Sequence, residues 1–206
     1  MPINILKKIM IIVDAEMSGL SPLKNSIVSL GAVDFARPER QFYGECRIWD
    51  GAETDPEALA VNGFTDEQCR DENRKSETEL IKEFYEWIQP IADKTIAGQN
   101  VSFDAQFLNQ ALKRANIEWR FSFRTLDLHA LAYARFIKEG REVPLKFDQS
   151  ALSLTKILVS LGLPPEPKPH IAINGAKYEA EAFSRIIHGK NLLPEFAQYP
   201  METPEK

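Results

Sequence analysis

Two carboxylates follow the most hydrophobic run near the start of the chain. Asp14 and Glu16 stand two residues apart, directly after the apolar residues 9–13. Because side chains alternate between the two faces of a strand, both carboxylates are predicted on one face. Carboxylates gathered at a strand end suit hard divalent cations, which prefer oxygen ligands and offset the charge. The alternative is that both are simply solvated where the strand leaves the core.

A third carboxylate, Asp104, falls at the start of a predicted helix that follows a short strand. Residues 97–104 read Ala-Gly-Gln-Asn-Val-Ser-Phe-Asp. Ser102 is predicted to cap the helix, and the helix dipole favours an acidic side chain in the first turn. Asp104 is therefore either part of an acidic site or only a helix-stabilising residue. Asn100 equally fits a plain turn.

Of the three histidines, only His170 has a position that local structure does not explain. It follows the proline-rich residues 164–169 and precedes the last predicted helix, so it is predicted in a loop over the sheet. His129 falls inside a helical pattern and is interpreted as structural. His188 ends a helix, where a hydrogen-bond donor suits the exposed carbonyl groups.

The composition is that of a globular protein. With 206 residues, of which 44% are hydrophobic and 27% charged, we predict one domain over residues 1–206, with a core of about 8–188 and a tail of about 189–206. The apolar run is too short for a membrane span, so no membrane association is predicted. Two distant cysteines outside any Cys-x-x-Cys pattern favour the reducing cytoplasm. A net charge of −5 argues against wrapping long duplex, so contacts with nucleic acid should be local.

The elements that must position these residues alternate in type. Strands are predicted at 8–14, 26–35, 41–49 and 95–98, with a hairpin turn at 36–40. A helix is predicted behind the capping box at 76–79, and further helices at about 102–115, 126–138, 154–161 and 176–188. Three meandering strands followed by alternating strands and helices indicate an α/β fold, a mixed sheet with helices on its faces.

The ordered set of motifs resembles a known family. Asp14-x-Glu16, then Asn100-x-x-Phe103-Asp104, then His170 is similar to the histidine-containing branch of the DEDD exonucleases. That branch includes the proofreading exonuclease of bacterial DNA polymerase and oligoribonuclease. Residues 27–33 resemble the family's second strand, and residues 56–65 resemble the segment that usually reads Val-His-Gly-Ile-Thr. The resemblance spans about residues 8–188 and implies a ribonuclease-H-like fold.

The resemblance also implies an activity and a set of roles. The activity is metal-dependent removal of nucleotides in the 3′→5′ direction from single-stranded DNA or short RNA ends. Two Mg²⁺ or Mn²⁺ ions, about 3.5–4 Å apart, would clamp the scissile phosphate. By resemblance, Asp14 contacts both ions, Glu16 and Asp104 one each, and His170 takes the proton from the nucleophile. The residues implied at the terminal nucleotide are Met17, Ser18, Gly19, Leu20, Asn62, Asn100 and Phe103.

The chain departs from the family in the third motif, His-x-x-x-x-Asp. Five residues after His170 stands Gly175, which predicts a lost ligand, reduced activity and a site that holds one ion instead of two. Asn174 offers an amide oxygen from the next position. Glu179 lies on the same helix face about 6 Å further along the axis, and its longer side chain is expected to recover only part of that distance. The plain alternative is that Asn-Gly is a loop-to-helix turn.

Two other functions compete with a working exonuclease. The first is a catalytically impaired protein that keeps the exonuclease fold and binds nucleic-acid ends or a protein partner. The second is a phosphatase that uses Asp14 as nucleophile, which we disfavour because such enzymes usually carry a second aspartate two residues on, where this chain has Glu16. Both DNA and RNA remain open as substrates, because discrimination depends on contacts to the 2′-hydroxyl. The oligomeric state also remains open.

Overall fold

A five-stranded mixed sheet forms the centre of the computed structural model, which describes residues 10–201. The strands are β1 (Ile11–Met17), β2 (Ile27–Asp34), β3 (Gln41–Glu45), β4 (Ile96–Gly98) and β5 (Leu126–Asp127). Their order across the sheet is β3-β2-β1-β4-β5. The first three strands pair antiparallel, whereas β4 runs parallel to β1 and β5 parallel to β4. The predicted α/β fold with a mixed sheet is confirmed.

Seven helices surround the sheet within residues 10–201. They are α1 (Pro56–Asn62), α2 (Asp66–Arg70), α3 (Glu77–Ile88), α4 (Ser102–Arg114), α5 (Leu128–Lys138), α6 (Leu154–Val159) and α7 (Ala172–His188). A two-stranded hairpin, β6 (Leu145–Lys146) and β7 (Gln149–Ser150), precedes α6, and a short 3-10 helix (Pro194–Phe196) follows α7. None of the helices in this described part of the chain is long and apolar enough to cross a membrane.

The central strand β1 is covered on both faces, which explains its apolar sequence. Ile11, Val13, Ala15 and Met17 pack with α3 and α4, whereas Ile12 packs with α5, α6 and α7. Asp14 and Glu16 are two and four residues after Ile12, so their side chains lie on the same face of β1 as Ile12, which is the α7 side of the sheet. The fold thus directs both carboxylates toward the last helix.

Several element boundaries differ from the predicted ones, in each case because of tertiary contacts. β1 continues to Met17, so Asp14 and Glu16 lie within the strand rather than after it; residues 8 and 9 lie outside the described part. β3 ends at Glu45, and the chain then leaves β2, with the Arg47 N–H donating to the carbonyl of Lys75. The helix predicted from 126 begins at Leu128, because residues 126–127 pair with β4.

Capping was predicted correctly for one helix and incorrectly for another. In α3, Ser76 and Glu79 exchange the two hydrogen bonds of a capping box. In α4, Ser102 is the first helical residue and Val101 occupies the cap position without a side-chain bond, so the predicted Ser102 cap is wrong. The short helices α1 and α2 were not predicted, since neither is long enough to show an apolar period.

Candidate active site

Asp14 and Glu16 lie in β1, at the centre of the sheet, with their side chains half-buried. Asp14 is paired with Gly31 of β2, and Glu16 with Ser29. The residues between and around them, Val13, Ala15 and Met17, are buried on the opposite face. Asp14 and Glu16 therefore lie on one face of β1, as predicted from the alternation of side chains along a strand.

Asp104 reaches the same strand from the first turn of α4. Its side chain is buried, and its Oδ1 accepts a hydrogen bond of 3.1 Å from the backbone N–H of Ala15. Ala15 stands between Asp14 and Glu16, so the bond brings a third carboxylate to the segment that carries the first two. The placement also lets the dipole of α4 favour the negative charge.

Helix α7 crosses the sheet in direct contact with Asp14, and two glycines allow this. A Cβ atom on Gly31 would overlap the backbone of Ala172, and a Cβ atom on Gly175 would overlap Oδ2 of Asp14. Residues 174 and 175 are both helical, because α7 begins at Ala172 rather than at the predicted 176. The interpretation of Asn174-Gly175 as a loop-to-helix turn is therefore wrong.

Glu179, one turn after Gly175, points its carboxylate toward the end of β4. Its Oε1 accepts a hydrogen bond of 3.0 Å from the N–H of Gln99, and its side chain is 2% exposed. Its Oε2 would lie 3.0 Å from a Cβ atom on Gly98 and has no hydrogen-bond partner among the described residues. Because α7 packs across the strands, the step from Gly175 to Glu179 leads toward the end of β4. The expectation that Glu179 recovers only part of the distance to the missing ligand position stays a prediction.

His170 precedes α7, and its ring lies near a carboxylate that the sequence did not single out. Nδ1 of His170 lies 3.9 Å from Oε2 of Glu166, whose side chain is mostly buried. The backbone N–H of His170 donates to the carbonyl of Val61. Glu166 belongs to the proline-rich connector. The only feature of the sequence that could have indicated a functional role for it is its acidic side chain.

Residues implied at the terminal nucleotide divide into exposed and internally bonded ones. Leu20 is 74% exposed, Asn100 is exposed with a positive φ of 56°, and Phe103 is half-buried. These three have surface available for a ligand. Gly19 is buried, and a Cβ atom there would lie 2.5 Å from the Asn25 side chain, so its role is to admit Asn25.

Ser18 and Asn62 are bonded within the protein. The Ser18 hydroxyl donates to the carbonyl of Glu53 and accepts from the N–H of Ser26, and its own carbonyl accepts from the N–H of Asp55. The Asn62 amide donates to the carbonyl of Met17 and accepts from the N–H of Phe64. Both side chains shape the loop after β1, and the nucleotide contact that the resemblance implies for this segment stays a prediction.

The carboxylates perturb one another because they share a water-poor region. Burial raises the pKa of Asp14 well above its ordinary value, and among the neighbouring charges Glu179 contributes most. Burial raises the pKa of Asp104 to about 8, and burial together with Glu166 raises that of Glu16 to about 7. Burial and Asp104 raise the pKa of Glu179. Such mutual shifts indicate that these carboxylates lie near enough to repel one another, and a cation near them would be favoured.

The donor set fits a hard divalent cation in chemistry, although it is not a ready-made cage. Carboxylate oxygens are what Mg²⁺ and Mn²⁺ prefer, and the unpartnered buried Oε2 of Glu179 is free to take such a partner. Within residues 10–201, however, no three His, Cys, Asp or Glu side chains are placed so that they could hold one ion as they stand. Binding would require side-chain rotation toward the ion.

Comparison with known proteins places the chain among nucleases. It is 25% identical over 178 residues to the PolC-type DNA polymerase III of Thermotoga maritima. The matched region covers 86% of this chain but only 12% of that polymerase. It is 27% identical over 185 residues to the 3′-5′ DNA exonuclease Cap18 of Escherichia coli, covering 87% of this chain and 92% of Cap18. The chain thus spans about an eighth of the first relative and nearly the whole of the second.

A solved structure and a family model agree with these relatives. The structure of E. coli Exonuclease I in complex with a dT13 oligonucleotide superposes with a TM-score of 0.67 at 16% identity, over 85% of this chain and 40% of that one. At this identity the likeness shows a shared fold, the ribonuclease-H-like mixed sheet. The family model RNase_T, described as an exonuclease, matches residues 11–183. The chain therefore belongs to the RNase_T exonuclease family.

Proposed function

We propose that the protein is a metal-dependent exonuclease that removes nucleotides from the 3′ end of single-stranded or short nucleic acids. The observation that carries the proposal is the hydrogen bond between Ala15 and Asp104, which brings Asp104 to the strand that carries Asp14 and Glu16. Cap18 is named a 3′-5′ DNA exonuclease, and Exonuclease I is described with a bound dT13 strand. Both names support the direction and the substrate class.

The metal ligands in this proposal are Asp14, Glu16 and Asp104. When bound, Mg²⁺ or Mn²⁺ would polarise the scissile phosphate and lower the pKa of a bound water. The protein's own contribution is to hold the three carboxylates on rigid elements, β1 and α4, and to exclude bulk water around them. Rigid placement matters because misorientation of a reacting group by about 1 Å costs orders of magnitude in rate.

His170 is proposed to accept the proton of the attacking water. Its Nδ1 faces Glu166, which leaves Nε2 as the atom that takes the proton. Partial burial and Lys168 lower the pKa of His170 below its ordinary value, so the ring is neutral near pH 7 and able to act as a base. Leu20 and Phe103 are proposed to contact the terminal base, since both have surface available.

A labelled-oligonucleotide assay tests the proposal. Single-stranded DNA and RNA with a 5′ label are incubated with Mn²⁺ or Mg²⁺, and the shortening of the strand is followed on a gel. We expect a ladder of stepwise 3′ shortening, which a 3′-phosphate slows and which Asp14→Asn abolishes. Cleavage that starts at the 5′ end, or full activity of Asp14→Asn, would refute the proposed direction or site.

Gly175 favours a second candidate, a protein with this fold that binds nucleic-acid ends or a protein partner with little cleavage. Restoring the family residue by Gly175→Asp does not cleanly separate the two candidates, because a Cβ atom there overlaps Oδ2 of Asp14. The exonuclease and the binding protein are therefore distinguished by assays of the wild-type chain. Tight binding of a labelled oligonucleotide without shortening in either metal would favour the binding protein. As location we propose the cytoplasm, supported by two buried, free cysteines.

A further inference from the structure

Position 175 has neither the carboxylate of the family's third motif nor room for one. The helix backbone at Gly175 packs against the carboxylate of Asp14, which occupies the volume of a Cβ atom. The close approach is the consequence of a glycine at this point of α7. A negative charge from α7 must then come from another turn of the helix, or be absent.

Glu179 is the buried carboxylate that α7 directs to the same region. Residues four apart lie on one face of a helix, so Glu179 follows Gly175 along the line that faces the sheet. One carboxylate oxygen is held by the N–H of Gln99, at the carboxyl end of β4. The other oxygen is buried and has no partner among the described residues. Among neighbouring charges, its effect on the pKa of Asp14 is the largest.

The two other fully buried glutamates within residues 10–201 have a different environment. Glu77 is paired with Arg114 at 2.7 Å, and Glu181 with Arg185 at 2.9 Å. Each thus has a guanidinium that offsets its burial. Glu179 has no such partner among the described residues, and its nearby charges include the carboxylates of Asp14 and Asp104. Leaving a buried polar atom unpaired is unfavourable, and more so when the group is charged.

We propose that Glu179 replaces the missing aspartate as the carboxylate that α7 supplies to the divalent cation. The cation is the partner that the unpaired oxygen lacks, and it offsets the repulsion from Asp14 and Asp104. The proposed ligand set therefore keeps four carboxylates. Compared with the family's aspartate, the fourth carboxylate comes from a residue one helical turn later, and its side chain is longer by one methylene group. The inference rests on the proposed metal-dependent function and predicts a complete ion site in spite of Gly175.

Mn²⁺ binding tests this role without relying on activity. Isothermal titration calorimetry would be carried out on the full chain as wild type, Glu179→Gln and Asp14→Asn. Glu86→Gln is the matched control, because Glu86 is an exposed glutamate on α3. We expect Glu179→Gln to weaken Mn²⁺ binding by at least about tenfold, whereas Glu86→Gln leaves it unchanged. Glutamine keeps an oxygen that can accept the Gln99 bond, so the fold is retained.

A second readout separates a ligand from a structural residue. If Glu179 is an unpaired buried carboxylate awaiting a cation, Glu179→Gln raises the unfolding temperature in EDTA at pH 8 and reduces the increase caused by Mn²⁺. A purely structural glutamate would lower the unfolding temperature under both conditions when replaced. If Glu179→Gln does not fold, Glu179→Asp keeps the charge but shortens the reach, and is also expected to bind Mn²⁺ more weakly.

The outcomes distinguish this inference from the proposed function. Loss of Mn²⁺ binding in Asp14→Asn with wild-type affinity in Glu179→Gln would overturn the role of Glu179 and leave the proposed function in place. Unchanged binding in both variants, or no binding by the wild type, would overturn both. Weakened binding in both variants supports the four-carboxylate site.

Discussion

At the scale of single residues, His170 and Glu166 illustrate what sequence can and cannot predict. His170 was singled out because neither a helix pattern nor a helix end explained it. Glu166 has no comparable signal, since it lies between two prolines in a connector without helical or strand periodicity, although His170 follows only four residues later. Only the path of the connector brings its carboxylate to 3.9 Å from Nδ1 of His170 and near enough to raise the pKa of Glu16.

Replacing His170 tests its role as the base. We expect His170→Ala to lower kcat by about 10²–10⁴-fold, the usual contribution of a positioned base, and to leave Mn²⁺ affinity unchanged. His188→Ala is the matched control, because His188 ends α7 and packs against Phe35. Steady-state cleavage of a labelled oligonucleotide at saturating substrate measures kcat. A loss below tenfold would show that the proton goes elsewhere.

At the scale of elements, the contact between α7 and the sheet decides the geometry of the site. Gly31 of β2 and Gly175 of α7 let the helix lie directly on the strands, next to Asp14. The apolar face of α7 predicted a helix against the sheet, but its predicted start was four residues late. The pair Asn174-Gly175 is typical of a turn, yet it is helical here, in a first turn of α7 whose Ala172 backbone lies against Gly31.

Adding one methyl group at Gly31 should move α7 away from the strands. We expect Gly31→Ala to lower the free energy of unfolding by about 1–3 kcal/mol, because the new Cβ meets backbone that cannot yield. It should also weaken Mn²⁺ binding, since Glu179 moves with the helix.

Gly44→Ala is the control for this substitution. A Cβ atom at Gly44 meets only Cδ1 of the Leu80 side chain, which can rotate, so its effect should be smaller. Urea unfolding monitored by circular dichroism measures both variants. Equal losses of stability would contradict the proposed close contact between Gly31 and α7.

At the scale of the whole molecule, the fold concentrates negative charge in one buried region. Glu16, Asp104 and Glu166 come from three separate parts of the chain, and burial raises the pKa values to about 7, 8 and 7. Below pH 4 these groups are protonated in both folded and unfolded chains. Between pH 4 and 8 the folded chain keeps protons on these carboxyl groups that the unfolded chain has released. The free energy of unfolding therefore decreases as the pH rises through this range.

This charge distribution predicts a pH dependence that metal should reverse. In EDTA, the wild-type chain should unfold at a lower temperature at pH 8.5 than at pH 5.5, and Mn²⁺ should remove most of the difference. Asp104→Asn keeps an acceptor for the Ala15 N–H and should reduce the slope. Differential scanning calorimetry measures the unfolding temperatures. A higher unfolding temperature at pH 8.5 in EDTA would contradict the argument.

The sequence by itself determined the mixed sheet and most of the helices, and it singled out the three carboxylates that we propose as metal ligands. These features depend on local periodicity, capping and the spacing of a few polar residues, all of which are written in consecutive positions. The capping box of α3 and the single face of Asp14 and Glu16 are of this kind. The element order was also enough to expect the fold.

The tertiary structure alone decided what surrounds those carboxylates. It made Ser18 and Asn62 internal hydrogen-bond partners, and it brought Glu166 to His170 and Glu179 to Asp14. Apart from Glu166 and His170, which are four residues apart, these contacts join residues far apart in the chain. The approach of Glu179 to Asp14 depends in addition on the angle at which α7 crosses the sheet. A helical pattern in sequence reports which face of a helix is apolar, but contains no information on that angle, because it is set by packing against glycines on other elements.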